Sequence, residues 1–283
     1  MGFPTAVVDV PLRWVDLDLQ GHVNNSMAVE YMQEARAGLM VDTPVEHLLG
    51  GGVVVVGHQV DYRRAIAFSR EPLQVRIGIT HVGASRFDLA YELVQEGQVC
   101  VSATSRMCPF DFASQRPRRL TADERAWFAG EAEEREPIPP LTAPALEGRG
   151  HVHPVQVRWG DLDRYGHVNN VRYFDYVQEA RIDATTSVDP AMARDGGQTR
   201  WVVARQDIDH LAQIDHRPEP FEVHTAVTGL GRTSIRLAAE IVDPLGGSVL
   251  CRVRTVQVCT DAQGTKRELP ESSREALGRL LVS

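Results

Sequence analysis

The sequence predicts an α+β chain built as two like domains in tandem, each an antiparallel sheet wrapped around one long central helix. Three observations carry this. The stretch Arg13 to Arg36, RWVDLDLQGHVNNSMAVEYMQEAR, returns 145 residues later at Arg158 to Arg181 as RWGDLDRYGHVNNVRYFDYVQEAR, with 15 of 24 positions identical. A repeat period of domain size means two domains and no solenoid. In each half an alternating apolar and polar run precedes this stretch, helix formers fill it, and four strand-like runs follow it.

Taken in order, Ala6 to Trp14 and His151 to Trp159 alternate as strands do, and Gly21 and Gly166 then break the extension. Helices are expected from Asn25 to about Met40 and from Asn170 to about Thr185. Their apolar positions cover more than one stripe, so each helix is buried on several sides. Only Glu30, Gln33 and Glu34, matched by Asp175, Gln178 and Glu179, make a narrow polar stripe. Glycine-bearing loops (Gly50 to Gly52; Gly196 and Gly197) lead into strands at about Val53 to Tyr62, Leu73 to Val82, Arg86 to Gln95 and Gln98 to Cys108. In the second half the runs are Thr199 to His210, Phe221 to Thr228, Thr233 to Val242 and Ser248 to Cys259. Turns at Glu96-Gly97 and Pro244 to Gly247 join the last two strands as hairpins. Short polar helices close the halves at Ala122 to Glu134 and Glu271 to Leu281.

The domains are therefore 1–136 and 151–283, with a Pro-rich, aperiodic linker at 137–150. One sheet with one helix across it leaves much surface uncovered, so the two halves are expected to pack on one another as an intrachain pseudo-twofold dimer, and further homo-oligomers are open.

Composition excludes several classes. The chain has 43% hydrophobic and 24% charged residues, as an ordered globular protein does. Its start has no basic stretch followed by an apolar run, and no segment has the roughly 18 uninterrupted apolar residues of a membrane span, so the expectation is a cytoplasmic protein with no membrane partner. A net charge of -8 argues against nucleic acid as a partner. Cys100 and Cys108, like Cys251 and Cys259, are eight residues apart on one strand, roughly 26 Å, beyond disulfide reach within a repeat. They read as reduced and core-facing. No His-Glu-x-x-His or cysteine ligand set supports a metal, and no cofactor is expected.

The repeated motif carries the chemistry. Each copy places Asp-Leu-Asp and then Gly-His-Val-Asn-Asn at the entrance of a helix, where unpaired backbone N–H groups and the positive end of the dipole favour a negative oxygen. A carboxylate on the loop facing such an oxyanion site suffices to attack a thioester carbonyl, directly or through water. Equally, Asp16, Asp18, Asp161 and Asp163 could cap the turn, with Asn24, Asn25, Asn169 and Asn170 doing the same, and His22 and His167 could be structural.

On these residues the chain resembles the hotdog-fold acyl-CoA thioesterases of the 4-hydroxybenzoyl-CoA thioesterase type, related to the acyl-ACP thioesterases. Both copies of D-x-D-x-x-G-H-V-N-N, followed by Tyr and Glu-Ala-Arg, match, as do the turns Gly83-Ala84-Ser85 and Gly231-Arg232-Thr233. The resemblance implies a tandem (double) hotdog that hydrolyses acyl-CoA, or acyl-ACP, to a free acid and thiol, with CoA present only as part of the substrate. It implies Asp18 and Asp163 as catalytic carboxylates. Gly21, His22, Asn24, Asn25 and Ser85, and Gly166, His167, Asn169, Asn170 and Thr233, would bind substrate or oxyanion. Asp16, Asp161, Glu34 and Glu179 would support them. It also implies that each site lies across the junction of two hotdog units. A non-catalytic acyl-CoA sensor and a dehydratase or hydratase using His22 or His167 are the alternatives on the same fold.

Where the copies differ, Leu19-Gln20 becomes Arg164-Tyr165 and Ser26 to Val29 becomes Val171 to Phe174, so the two pockets need not accept one acyl group, and the second, with Tyr165, Tyr173 and Phe174, is the more aromatic. The phosphates of CoA require local cations, for which Arg63, Arg64, Arg86, Arg116, Arg118 and Arg119 are candidates.

Overall fold

In the computed structural model, which describes residues 3–133, 135–193 and 199–282, the chain divides into two compact units, Met1–Pro139 and Pro140–Ser283. The first runs β1 (Ala6–Val10), α1 (Asn25–Met40), α2 (His47–Gly51), β2 (Val53–Tyr62), β3 (Leu73–Val82), β4 (Phe87–Gln95), β5 (Gln98–Asp111), β6 (Arg116–Pro117) and α3 (Ala122–Glu131). Its strands lie in the order β1-β3-β4-β5-β2, every neighbour antiparallel, with β6 folded back on β5. The second runs β7 (His151–Val155), α4 (Arg172–Val188), a 3-10 turn (Pro190–Ala193), β8 (Arg200–His210), β9 (Phe221–Leu230), β10 (Ser234–Asp243), β11 (Ser248–Thr260) and α5 (Glu271–Gly278). Its order, β7-β9-β10-β11-β8, is that of the first unit.

Each long helix lies on its own sheet, α1 against β1 and β3 and α4 against β7 and β9. Ala28, Val29, Tyr31, Met32, Ala35, Leu39 and Met40 of α1 are buried, which spans more than one stripe of a helix with 3.6 residues per turn. Glu34 and Glu179 stay exposed. The closing helices add smaller contacts: Phe128 of α3 stacks on Phe87 at 3.9 Å between ring centroids, and Leu277 of α5 packs with Val227, Ile235 and Leu237. All four cysteines are free and buried. Among the described residues no helix is long and apolar enough to cross a membrane.

The structure departs from the sequence-based expectation in several places. Strands β1 and β7 stop at Val10 and Val155, because the chain turns into 3-10 turns at Trp14–Asp16 and Trp159–Asp161. Helix α4 starts at Arg172, two residues late, after a turn in which Arg172 N–H donates to Asn169 O and Phe174 N–H to Val171 O. The short elements α2 and β6 have too few residues to show a period. The linker does not hang free: Leu141 N–H donates to the Asp207 carboxylate at 2.7 Å, and Leu146 is fully buried against Ala226 and Ala238. Gly196 and Gly197 lie outside the described residues, as do Glu134 of the expected closing helix and the loop around those glycines.

Gly52 has φ +118°, and a Cβ there would stand 2.2 Å from Phe110 O, so only glycine fits where α2 hands the chain to β2. At the β4–β5 hairpin both Glu96 (φ 50°) and Gly97 (φ 72°) are left-handed, the backbone a two-residue hairpin turn needs.

Candidate active site

The motif folds into a small loop closed on itself and seated on the start of its helix. In the first unit Asp18 N–H donates to His22 O (2.7 Å) and Gly21 N–H to Asp18 O (3.0 Å), with Leu17 bridging Val23. Gly21 has φ +77° and Gly166 +82°, so the turn needs a residue without a Cβ penalty. The Asp18 carboxylate is fixed by its own loop, Oδ1 accepting from the Gln20 N–H at 2.8 Å and the His22 N–H at 3.1 Å. Asp163 repeats this with the Tyr165 N–H (2.8 Å) and His167 N–H (3.3 Å). Oδ2 of each has no partner among the described residues. Asp18 is exposed and Asp163 half-buried.

The asparagines divide their roles. Asn24 caps α1, its Oδ1 accepting from the Ser26 N–H at 3.2 Å, whereas Asn169 Oδ1 accepts from the Val171 N–H at 3.0 Å in the turn before α4. Their own N–H groups donate to Asp16 O and Asp161 O, each at 2.8 Å. This corrects the expectation that Asn24 and Asn169 offer N–H groups to an oxyanion. In the first unit the donor that remains at the head of the helix, among the described residues, is the Asn25 N–H, which has no carbonyl one turn earlier in the helix to bond. Asn25 O accepts from the Tyr62 hydroxyl at 3.1 Å.

Asp16 is the buried member of the motif, 2% exposed. Its carboxylate takes the Arg13 Nε at 2.9 Å and the Tyr31 hydroxyl at 2.6 Å, while the Arg13 guanidinium reaches Glu30 at 2.7 Å. Burial pushes the Asp16 carboxyl up, but the hydrogen bonds from Arg13 and Tyr31 outweigh it and hold it below the ordinary value. Burial, with the adjacent carboxylate, raises the Tyr31 phenol well above its ordinary value. In the second unit Asp161 accepts from the Tyr176 hydroxyl at 2.7 Å and the Arg158 N–H at 2.8 Å.

Other candidates fall elsewhere. The backbone of His22 bridges Ala67, and Ala67 is clamped by the Gln95 side chain, so the Asp18 loop lies at the Glu96-Gly97 end of β4. Ser85 sits in the turn before β4, roughly 30 Å along that strand from Gln95. Thr233, whose carbonyl accepts from the Cys259 N–H, is likewise at the far end of β10 from the Asp163 loop. Within each unit neither joins the carboxylate. Glu34 stands roughly 14 Å along the helix from Asn25, and Glu179 has the same place on α4. The His167 ring is turned toward the Asp215 carboxylate at 3.6 Å. Of the cations, Arg63 and Arg64 are exposed at the Asp18 end, their N–H groups both held by Cys100 O. Arg86, Arg116 and Arg119 lie with Ser85 at the other end. Arg118 is not available to a ligand, because Glu124 grips it at 2.7 and 2.8 Å. Among the described residues no group of three or more His, Cys, Asp or Glu side chains is disposed to hold a metal ion.

Sequence reasoning missed Arg13, Tyr31 and Tyr176 as parts of the site. Their signal was present, since all are identical between the copies.

The description "thioesterase-like superfamily" belongs to the family model that matches residues 12–145 and again residues 157–277. Among solved structures the chain is similar to the 12:0-ACP thioesterase from Umbellularia californica, with TM-score 0.69 and 18% identity over 90% of this chain and 97% of that one. It is also similar to an acyl-ACP thioesterase from Bacteroides thetaiotaomicron VPI-5482, with TM-score 0.67 and 13% identity over 89% and 97%. At such identities the likeness is one of fold, and the fold is the tandem hotdog. The uncharacterized protein YsmA of Bacillus subtilis (strain 168) is 34% identical over 83 residues, 29% of this chain and 54% of that protein. The chain thus spans about half the length of the curated relative it matches.

Proposed function

The chain belongs to the thioesterase-like superfamily, and from that premise we propose that it hydrolyses the thioester bond of an acyl-CoA or acyl-ACP, with Asp18 in the first repeat and Asp163 in the second as the reacting carboxylates. Water enters, the C–S bond breaks, and the products are a carboxylate, a thiol and a proton. One observation supports the reading above others. In both repeats one oxygen of the carboxylate is immobilised by two backbone N–H groups and the other has no partner among the described residues, beside a helix start. A nucleophile or base needs that combination of fixed orientation and an available lone pair. In the first repeat the Asn25 N–H supplies the donor toward the developing oxyanion. The dehydratase reading has less support, since the His167 ring faces Asp215. For a CoA ester, Arg63 and Arg64 are the cations at the Asp18 end, and neutralising both is expected to raise KM at low salt more than at high salt.

The test is thiol release over short, long and aromatic acyl-CoA esters and acyl-ACP. Asp→Asn keeps size and removes the charge, so the double variant D18N/D163N is expected to lose about 10²- to 10⁴-fold in rate. Each single variant keeps the other site's turnover. Full activity in a folded double variant refutes the mechanism for both repeats.

A further inference from the structure

Asp18 and Asp163 are held by N–H groups two and four residues on, and their loops meet the rest of the unit through backbone bonds, Val23 N–H to Ile66 O and Val168 N–H to Ile214 O, each at 2.9 Å. A separate side-chain contact ties the entry of each loop to its helix. The geometry points to Tyr31 and Tyr176 as positioning residues: each donates its hydroxyl from the second turn of the long helix to Asp16 or Asp161, and through it fixes the Asp18 or Asp163 loop against the helix start.

The chain of contacts is short and the same in both units. Tyr31 reaches Asp16 Oδ2 at 2.6 Å and Tyr176 reaches Asp161 Oδ2 at 2.7 Å. The carbonyl of that same aspartate takes the N–H of Asn24, the cap of α1, or of Asn169, in the turn that leads into α4, at 2.8 Å. One residue therefore ties the loop's entry by its carboxylate to the helix's second turn and by its backbone to the residues that lead into the helix. Asp18 and Asp163 lie only two residues further on. Tyr31 and Asp16 are each 2% exposed, so water does not compete for the bond. Burial keeps the phenol a hydrogen donor at every working pH, and the charge-assisted bond to a carboxylate is of the strong kind. The surroundings are not copied with it: Ala28, Val29 and Met32 become Tyr173, Phe174 and Val177. A side chain needed only to fill space would have varied with them.

The inference rests on the thioesterase reading, and its test separates the two. Tyr31→Phe is made in the D163N background, where only the first site acts, and Tyr176→Phe in the D18N background, each assayed with the acyl-CoA ester that the wild-type chain hydrolyses fastest. Loss of the hydroxyl keeps the ring's packing but releases the loop, and a misplacement of about 1 Å costs about 10²-fold in rate. The expected result is a fall in kcat of about that size, KM within about twofold, an unchanged shape of the pH profile, and an Asp16→Asn variant that reproduces the fall. The Tyr31→Phe/Asp16→Asn pair is expected to be no worse than the weaker single variant, because both cut one chain of contacts. Unchanged kcat in folded Tyr31→Phe, with or without a lower Tm, overturns the proposal, as does loss of the basic limb of the pH profile, which would make the tyrosine a proton donor in its own right. Should Tyr31→Phe fail to fold, unchanged kcat in Asp16→Asn overturns it equally. If D18N/D163N retains full activity, the thioesterase mechanism fails instead, whatever the tyrosines do.

Discussion

His210 is expected to make the second repeat acid-labile in a defined window. It is the last residue of β8, half-buried, with its ring edge-to-face on Tyr173 at 4.5 Å between centroids. Burial pushes the imidazole from 6.5 down to about 4, against a smaller opposite pull from Asp209. A base with a depressed folded pKa takes its proton first in the unfolded chain, so stability is full above pH 6.5, falls as pH drops, and has lost this contribution entirely near pH 4. At 1.36 kcal/mol per unit the loss is about 3 kcal/mol, a large part of a domain's stability. The carboxylates act in a separate, lower window: Glu124, held at about 2 first of all by Arg118, loses its contribution only as pH falls below the ordinary carboxylate value toward 2. Urea unfolding at pH 7.5, 6, 5 and 4.5 should therefore show stability falling through the upper range in the wild type and much less in His210→Gln, whatever the variant's absolute stability. The same slope in both chains would refute the burial argument.

Two further outcomes test the frame. Glu124, 2% exposed, receives Arg118, His47 and the Thr121 N–H, so Glu124→Gln is expected to cost about 3 kcal/mol in urea unfolding while leaving thiol release per folded chain unchanged, because this cluster lies at the Ser85 end of the sheet. Gly52→Ala combines a positive φ with a Cβ 2.2 Å from a carbonyl oxygen and should lower stability by roughly 3 kcal/mol or more; a wild-type Tm would show that the α2–β2 junction relaxes without cost.

What the sequence made legible is what local periodicity records. Helix α1 runs from Asn25 to Met40 as its helix formers indicate, and β2 and β3 end where Tyr62 and Val82 do, because burial on one face writes a period of two into the residues. Trp14 belongs to no strand although the alternation runs on through it, since Arg13 and Asp16 bond each other and pull the chain into a 3-10 turn. Pro11 reinforces the break by having no N–H for a ladder. The site was legible as a set of residue types and illegible as a set of bonds. Nothing in D-x-D says which aspartate is buried; Tyr31, fifteen residues away, decides that by reaching Asp16. Nor does Asn-Asn say that the first N–H will be taken by the Asp16 carbonyl. Ser85 and Thr233 were placed with the site by resemblance, and their distance along β4 and β10 is a fact of strand length.

The two repeats show which part of this arrangement tolerates change. At one equivalent pair of positions the first unit has Ala28 on the helix and Tyr62 on the strand, with the Tyr62 hydroxyl on Asn25 O. The second has Tyr173 on the helix and His210 on the strand, ring against ring. The second unit carries two rings where the first carries one ring and a methyl group, an exchange that the neighbouring side chains must absorb if packing density is kept. Asp16, Tyr31 and Asn24 admit no such exchange, because a hydroxyl, a carboxylate and a cap must meet at bonding distance and losing one leaves the others unpaired in a buried place. Divergence between the repeats thus falls on side chains around the Asp18 and Asp163 loops and leaves the bonds from Tyr31 to Asp16 and from Tyr176 to Asp161 unchanged.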